Sequence, residues 1–459
     1  MGKRDHNWWK NSIVYQIYPR SFQDTNGDGI GDLQGIIRRL DYISDLGVDV
    51  IWVCPVYESP NHDNGYDVRD YCSISKEFGT IEDMKRLIEE CSTRNIKVLM
   101  DLVVNHTSDE HEWFQASRSD CGDSKRNWYI WAKGRDGAEP NDLISIFGGS
   151  AWEYDESSDE YYFHLFSKHQ PDLNWDHPQV RGEVLEMIRW WLDLGIAGFR
   201  MDAITYIKKN RTELLTEQRS DPHPCVASVA CMNQPGVLEY LREIKQTLDQ
   251  YEAVSVAEAP GIAHEQIGDY TGTSAGVFDM IFTFEHVDID IWGLPKGATR
   301  SWNLRMFKKA LSDWQTAANQ SGWLALFFEN HDMVRSVSKF GNSGLYRTES
   351  AKMLATWYML MRGTPFIFQG QEIGMTNYPF TGIEEYRDID AINYYREATA
   401  NGIAPETVLA FLDARGRDHS RTPMQWNDKV HAGFTSGDPW IRVNPNYPEI
   451  KRGTVLCRS

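Results

Sequence analysis

The sequence predicts an α/β fold, and specifically a (β/α)8 TIM barrel, from two observations. Short apolar segments rich in β-branched and aromatic residues alternate with segments of helical period through most of the 459 residues. Such alternation is typical of a parallel sheet, and a count of eight strands favours the closed barrel. The predicted strands are 13–17, 50–53, 98–102, 198–201, 254–257, 280–284, 324–328 and 365–368.

The segments between these strands have the spacing of amphipathic helices. A doubly wound open sheet is the alternative, but no Gly-rich dinucleotide motif follows the first strand. The barrel is therefore the first choice. The helices are predicted at 33–46, 80–94, 178–194, 236–250, 304–318 and 348–362.

Two stretches are too long to be simple loops, and they divide the chain. We expect 1–103 to form the first part of a catalytic barrel and 104–172 an excursion domain after the third strand. Residues 173–374 then complete the barrel. Residues 375–459 form a subdomain after the eighth strand, with candidate helices at 391–400 and 405–414.

Composition excludes several classes of protein. A net charge of −19 argues against nucleic acid or an anionic membrane as a partner. No apolar run is long enough to cross a membrane, and no signal peptide is evident. The seven cysteines are scattered and form no C-x-x-C pair, which is typical of reduced thiols in a cytoplasmic protein. The 12% aromatic content is typical of proteins that stack on sugar rings, although cores also use aromatics.

Polar residues follow four of the predicted strands. His106 follows the third, Arg200 and Asp202 end the fourth, Glu258 follows the fifth, and Asp332 follows the seventh. Each alone is explained as well by a structural role, such as an ion pair or a solvated loop residue. Their convergence on one barrel rim favours catalysis instead.

Carboxylates combined with His and Arg, without cysteine, indicate acid/base and nucleophilic chemistry such as glycoside hydrolysis. Asp202 is the better nucleophile, because Arg200 lies two residues earlier on the same strand face and favours an ionised carboxylate. Glu258 follows an apolar strand, and dry surroundings would let it act as the general acid.

Four motifs resemble the α-amylase family of retaining glycoside hydrolases, in the oligo-1,6-glucosidase and α-glucosidase branch. They are Asp101-Leu-Val-Val-Asn-His106, Gly198-Phe-Arg-Met-Asp202, Glu258 and Glu329-Asn-His-Asp332, in the family's order. A fifth, Gln170-Pro-Asp-Leu-Asn-Trp175, is similar to the motif that marks this branch. The likeness runs from about residue 8 to about residue 448.

The resemblance implies a role for each matching residue. Asp202 would be the nucleophile, Glu258 the acid/base and Asp332 the group that holds the distorted sugar. Other residues would surround the glucose at the cleavage subsite and close the pocket at one end, which makes the enzyme exo-acting on short oligosaccharides. These substrate-binding residues would be Asp63, Tyr66, His106, Phe166, Gln170, Arg200, His331 and Arg417.

The loop Asp24-Thr-Asn-Gly-Asp-Gly-Ile-Gly-Asp32 places oxygen-bearing side chains at alternate positions, as the first part of an EF-hand loop does. Gly35 stands where an EF-hand has its last Glu, so this is not an EF-hand. The resemblance implies one structural Ca²⁺, and a metal-free loop of Asx-turns is the alternative. The implied ligands are Asp24, Asn26, Asp28, the Ile30 carbonyl and Asp32.

Ala203 follows the proposed nucleophile directly. The resemblance connects the residue at this position with preference for one type of glucosidic bond. In relatives, Val there accompanies α-1,6 preference, whereas Ala or Thr accompanies tolerance of α-1,4 bonds. We therefore expect an exo-acting α-glucosidase that hydrolyses both bond types. Trehalose-6-phosphate hydrolase is an alternative that would need a basic phosphate pocket, for which Lys208 and Lys209 are the nearest adjacent pair. Sucrose isomerase would need an Arg-rich loop after the seventh strand, where only Arg335 stands.

A non-catalytic binding partner is the alternative from another class of protein, but all three carboxylates are present. We expect a monomer. Family members continue past residue 448 into a last barrel helix and a small C-terminal β-domain, which this sequence lacks. We therefore also expect a destabilised, aggregation-prone chain.

Overall fold

The computed structural model describes residues 7–119, 122–216, 225–272, 275–294 and 296–452. In this part of the chain, eight parallel strands lie in the order β6-β5-β4-β3-β2-β1-β8-β7, and a parallel bridge from Ile281 to Leu324 joins the two edges. The predicted barrel is thus confirmed, and the open sheet is excluded. The strands are β1 Val14–Ile17, β2 Val50–Val53, β3 Lys97–Val103, β4 Gly198–Asp202, β5 Val254–Glu258, β6 Met280–Phe282, β7 Ala325–Leu326 and β8 Thr364–Phe368.

The predicted helices are present with small shifts at their ends. Strands β6 and β7 are shorter than predicted, and β6 ends early because Val287 N–H bonds the Phe284 carbonyl and turns the chain. The helices are α1 Leu33–Asp45, α2 Ile81–Thr93, α3 Glu112–Ser119, α4 Pro178–Leu194, α5 Arg211–Leu214, α6 Val237–Gln250, α7 Ile267–Thr271, α8 Leu304–Ser321, α9 Ser336–Phe340, α10 Arg347–Met359, α11 Ile389–Ala400, α12 Pro405–Arg415 and α13 Asp418–Arg421.

Local sequence explains where the helices around β3 and β4 begin and end. Thr80 and Asp83 form a capping box at the start of α2. Pro178 opens α4, and Gly195 ends it with a φ of 109°. Gly198 then starts β4 with a φ of 145°, where a Cβ atom would lie 1.9 Å from the Val254 carbonyl oxygen. Only glycine therefore lets β4 begin so close to β5.

The excursion after β3 contains α3 and a small antiparallel sheet formed by Trp131–Ala132, Glu160–Phe163 and Trp152–Asp155. Some of its apolar side chains, such as Trp152 and Leu165, pack in a smaller cluster with residues that follow β4, whereas others, such as Phe114 and Tyr129, belong to the main core. Backbone bridges from His106 to Asp172 and from Tyr129 to Leu173 join it to the barrel. The excursion is therefore a packed unit over the carboxyl end of β3.

Both predicted helices after β8 are present, as α11 and α12. They pack against each other around their own apolar cluster, which includes Tyr386, Val408 and Leu412. The chain then returns to the barrel, where Trp426 and Ile450 join the main core. Residues 1–6 and 453–459, at the ends of the first and last predicted segments, lie outside the described residues.

Two further sequence expectations concern thiols and membranes. Cys54, Cys72, Cys91 and Cys231 carry free thiols. Cys121, Cys457 and the side chain of Cys225 lie outside the described residues. Among the helices that the structure describes, none is both long and apolar enough to cross a membrane.

Candidate active site

A cavity of about 300 Å³ opens at the carboxyl ends of the barrel strands. The three predicted catalytic carboxylates, Asp202, Glu258 and Asp332, line it. Arg200 and His331 are buried and hydrogen-bond to residues of the lining. The structure therefore brings all the predicted catalytic and substrate-binding residues together. The other predicted residues in the lining are Asp63, Tyr66, His106, Phe166, Gln170, Ala203 and Arg417.

Arg200 connects three carboxylates at the base of the cavity. Its Nη1 lies 2.7 Å from Asp202 Oδ1, and its Nη2 lies 2.8 Å from Glu258 Oε2. Nη1 also bonds Asp101, whose other oxygen accepts a 2.8 Å bond from the indole of Trp52. Because the guanidinium is buried, these bonds hold the two predicted catalytic carboxylates in fixed positions.

One guanidinium does not balance three carboxylates. Burial raises the pKa of the Asp202 carboxyl, Glu258 and Asp101 act in the same direction, and Arg200 opposes them without reversing the shift. Burial likewise raises the pKa of Asp101 to about 6. Arg200 lowers the pKa of Asp202, as the spacing on β4 indicates, but burial and the neighbouring carboxylates act against it.

Ala203 lies directly beside the two carboxylates. Its backbone N–H donates a 3.1 Å bond to Glu258 Oε2, and its φ of 45° places it in the left-handed region. This turn points the Ala203 N–H at Glu258 while Asp202 still faces the cavity. The residue is thus both part of the lining and part of the support for Glu258.

Asp332 and His331 follow β7 in the chain. Asp332 lines the cavity, and His331 is buried next to it. Burial would raise the pKa of Asp332, but the positive charges around it hold that pKa well below its usual range. Burial lowers the pKa of His331 to about 3, so this imidazole is neutral and the arginines supply the charge. Arg421 Nη2 lies 2.8 Å and Arg417 Nη1 3.2 Å from Asp332 Oδ1. Asp332 is therefore a fixed anion.

His331 is oriented by two neutral partners. Gln16 Nε2 lies 2.8 Å from its Nδ1, and the Tyr66 hydroxyl lies 2.6 Å from its Nε2. The Tyr66 ring is nearly parallel to the imidazole, with ring centroids 5.3 Å apart. The buried His331 thus holds Tyr66, a residue of the cavity lining, in place.

Polar side chains close the end of the cavity away from Glu258. Gln170 Nε2 lies 3.1 Å from Asp63 Oδ2 and 3.1 Å from His106 Nε2. Arg417 Nη2 lies 3.4 Å from Asp63 Oδ1, as its predicted position requires. Burial raises the pKa of Asp63 to about 7, against the effect of Arg417, and lowers that of His106 to about 4. Phe166 packs edge-on against His106, with centroids 5.3 Å apart.

Sequence reasoning missed several residues of the site. Asp388 accepts a 3.0 Å bond from Arg417 Nε and so holds that guanidinium in place. Asp101 stands in a motif, but nothing in that motif indicates its bond to Arg200. The aromatic lining comes from loops with no motif, and only the general richness in aromatics could have suggested it. These unforeseen lining residues include Phe147, Tyr206, Phe284 and Trp292.

The loop 24–32 lies away from the cavity and is closed by hydrogen bonds of its own. Asp24 Oδ1 accepts bonds from the Asn26 and Gly27 N–H groups, at 2.9 and 2.8 Å. Asp28 Oδ1 accepts a 2.8 Å bond from Ile30 N–H, and Asp32 caps α1 through a 2.7 Å bond from Gly35 N–H. These are Asx-turns. The same loop carries the side-chain oxygens of Asp24, Asn26, Asp28 and Asp32, which is the ligand chemistry that Ca²⁺ prefers.

A closed parallel barrel with a carboxylate-lined pocket at the carboxyl ends of its strands has the architecture of a (β/α)8 barrel enzyme. Comparison with known proteins then gives the family. The model of the alpha amylase catalytic domain matches residues 16–455, so the chain belongs to the alpha-amylase family.

Individual relatives are similar over nearly the whole chain. An oligo-1,6-glucosidase of Bacillus cereus is 52% identical over 448 residues, which cover 97% of this chain and 80% of that protein. An isomaltulose synthase of Erwinia rhapontici in complex with sucrose has a TM-score of 0.94 at 42% identity, covering 97% and 80%. A trehalose-6-phosphate hydrolase of Bacillus licheniformis has a TM-score of 0.92 at 44% identity, covering 98% and 81%.

Proposed function

We propose that this protein is an exo-acting α-glucosidase that releases α-glucose from the non-reducing end of short α-1,4 and α-1,6 gluco-oligosaccharides. The observation that carries the proposal is the pair Asp202 and Glu258, held by one buried Arg200 at the base of a pocket that Asp63, Gln170 and Arg417 close. Identity of 52% to an oligo-1,6-glucosidase supports it.

The reaction is a retaining double displacement. Asp202 attacks the anomeric carbon while Glu258 gives a proton to the leaving oxygen. Glu258 Oε2 accepts bonds from Arg200 and from Ala203 N–H, so the proton belongs on Oε1. Glu258 then removes a proton from water, which attacks the glucosyl-enzyme and releases glucose. The proton that Glu258 gives to the leaving oxygen is thereby replaced by one from the attacking water, and the enzyme is ready for the next cycle.

The closed end of the pocket selects a terminal glucose. Asp63, His106 and Gln170 offer a joined set of donors and acceptors to the sugar hydroxyls, and Asp332 accepts from the reacting ring. Because Arg417 contacts both Asp63 and Asp332, one side chain connects the two groups that hold the glucose. A longer chain cannot pass this end, so cleavage proceeds from the terminus.

The alternatives have less support from their own side chains. Lys208 pairs with Asp176, and buried Lys209 lies 2.7 Å from Asp172, so both lysines are engaged by acids and do not form a phosphate pocket. Arg335, after β7, is buried against Glu329 at 3.0 Å. It therefore does not line the cavity as an isomerase loop would require. The three carboxylates in the cavity also argue against a non-catalytic binding partner.

A substrate panel tests the proposal. Wild type should hydrolyse maltose and isomaltose at comparable kcat/KM, and sucrose and trehalose-6-phosphate much more slowly. Ala203→Val adds two methyl groups to the lining and should lower the maltose-to-isomaltose ratio of kcat/KM about 10-fold or more, equivalent to about 1–3 kcal/mol. Rates of glucose release measure this ratio.

Ala203→Gly is the matched control, because glycine tolerates the φ of 45° and leaves space at the same position. Its substrate ratio should stay close to that of wild type. A wild-type ratio well below one, or an unchanged ratio in Ala203→Val, would contradict this reading of Ala203. Faster turnover of sucrose or trehalose-6-phosphate than of both glucosides would contradict the assignment itself.

One structural Ca²⁺ belongs to the same proposal, with Asp24, Asn26, Asp28, the Ile30 carbonyl and Asp32 as ligands. Asp24 and Asp32 are buried while Asp28 is exposed, which suits an ion bound at the surface. The ion would hold the loop against residues 435–438. The loop already contacts this segment, because the Thr435 hydroxyl donates a hydrogen bond to Asp24. Its role is structural.

Calcium removal should therefore lower the melting temperature. We expect a chelator to reduce it by about 2–4 °C, and added Ca²⁺ to restore it, as linkage to the folded state requires. Asp28→Asn should abolish the response, whereas Asp41→Asn, an exposed acid on α1, should preserve it. A melting temperature independent of chelator would favour the metal-free loop of Asx-turns.

A cytoplasmic location and a monomeric state complete the proposal. The free thiols of Cys54, Cys72, Cys91 and Cys231 agree with a reducing compartment. The pocket is lined by residues of one chain, so a second copy is not needed to build it.

A further inference from the structure

Two histidines and one aspartate cluster beside the closed end of the active-site cavity. His62 is exposed, and Asp109 and His169 are partly exposed. Each offers one ligand atom, and these atoms all lie within 4.8 Å of one another. The three residues come from separate segments: a loop after β2, the loop after β3, and the end of the excursion. The cluster contributes no side chain to the cavity lining.

Two contacts already hold the three side chains together. His169 Nδ1 lies 2.8 Å from Asp109 Oδ2. The imidazole of His62 stacks on that of His169 with centroids 3.7 Å apart and an angle of 9° between the planes. Backbone bonds fix the segments, since His62 N–H donates to Asp67 at 2.8 Å and Asp109 N–H donates to the His169 carbonyl at 3.0 Å. The backbone at the cluster is therefore fixed, and an ion would have to reorient only the side chains.

Two imidazoles and a carboxylate are a ligand set for Zn²⁺ and similar transition-metal ions. Bonds of about 2.0–2.2 Å in a tetrahedral site place ligand atoms roughly 3.3 Å apart. Reaching that spacing requires both imidazoles to tilt out of their stack, because the nitrogen lone pairs of stacked rings lie in parallel planes. His62 is exposed and His169 is partly exposed, so both side chains have room to turn. Ca²⁺ and Mg²⁺ prefer oxygen ligands, so the two nitrogens select against them.

We propose that His62, Asp109 and His169 form a transition-metal site, with Zn²⁺ as the fitting ion and water as the fourth ligand. The ion replaces the proton shared by His169 and Asp109 and adds a bond to His62. It thereby joins the loop after β2 to the excursion across the closed end of the pocket. Three protein ligands and an open position indicate reversible binding, in contrast to a closed structural site.

An ion at this site would restrain two of the proposed sugar-binding residues, because its ligands directly precede them in the chain. His62 immediately precedes Asp63, and His169 immediately precedes Gln170. Gln170 already bonds Asp63 at 3.1 Å, so a metal bridge one residue earlier on both segments restrains the same contact. Segments 59–67 and 164–172 should therefore open less often when the ion is bound.

Calorimetric titration of the full chain with ZnCl₂, with Ca²⁺ present in excess so that loop 24–32 is filled, measures the site directly. We expect one Zn²⁺ per chain, an affinity at least tenfold weaker in His62→Asn and in His169→Asn, and no binding at the site in the double variant. Co²⁺ in place of Zn²⁺ should give visible absorption typical of tetrahedral nitrogen and oxygen ligation. Hydrogen exchange should slow in 59–67 and 164–172 together when Zn²⁺ is added.

His431→Asn is the matched control, because His431 is a partly exposed histidine at the positive φ of 53°, which Asn also tolerates. It should bind Zn²⁺ as wild type does. Equal Zn²⁺ affinity in wild type and the double variant would overturn the proposal. So would protection of only one of the two segments, because the ion would then not bridge them. Both readouts are independent of glucoside hydrolysis.

Discussion

Asp202→Asn is expected to lower kcat/KM for maltose and isomaltose by roughly 10⁴-fold or more, because it removes the nucleophile and the covalent intermediate. That loss corresponds to an increase of about 5 kcal/mol in the barrier. The asparagine amide has almost the same shape as the carboxylate and can still accept the bond from Arg200. The loss would therefore report chemistry and not a displaced side chain.

The melting temperature separates this effect from unfolding. Burial and the neighbouring carboxylates raise the pKa of Asp202, so its ionised form destabilises the folded state as pH rises above the ordinary carboxyl range. A neutral amide removes that cost, and the melting temperature of Asp202→Asn at pH 7 should equal or exceed that of wild type. Asp176→Asn, which changes an exposed acid paired with Lys208, is the matched control and should retain activity. Unchanged hydrolysis in Asp202→Asn would contradict the mechanism.

Glu258→Gln should lower kcat/KM for maltose by about 10²–10⁴-fold, since the leaving sugar then departs without a proton. A dinitrophenyl glucoside has a leaving group that needs no proton, so its first step should be nearly unaffected. The glucosyl-enzyme should then accumulate, because water lacks its general base. Pre-steady-state release of dinitrophenol measures this as a burst followed by a slow phase.

Azide distinguishes the role of Glu258 from a general loss of geometry. As an anion it needs no base, so it should restore turnover of the dinitrophenyl glucoside in Glu258→Gln and give the α-glucosyl azide. Product with β configuration would exclude the double displacement. Equal losses for maltose and the dinitrophenyl glucoside would show that Glu258 is not the proton donor. Glu265→Gln, outside the cavity lining, serves as the control.

The site shows why some residues could be predicted and others could not. Asp202, Glu258 and Asp332 stand in short motifs, and each follows a strand whose pattern is visible in the sequence. Asp388 has no such signal, yet it is the acid that fixes Arg417. Asp388 directly precedes α11, and Arg417, 29 positions later, directly precedes α13. A contact between two such segments cannot be read from the sequence of either one.

Charge is the second property that required the assembled structure. From spacing alone, Arg200 is a partner that should keep Asp202 ionised. In the fold, the same guanidinium also meets Glu258 and Asp101, and the whole group is buried. Burial and two additional carboxylates change the balance, so the pKa of Asp202 is raised. A pKa depends on all the charges within a few ångströms, and spacing along one strand reports only one of them.

The sequence by itself determined the eight strands, the helices between them and the polar residues at the strand ends, because hydrophobic period and short motifs are local properties. The domain boundaries, the calcium site and the residue roles stay predictions. Only the tertiary structure decided that Arg200 serves three carboxylates, that Arg417 is held by Asp388, and that His62, Asp109 and His169 meet. Each of these depends on segments far apart in the chain, which only the folded barrel and its excursion bring within bonding distance.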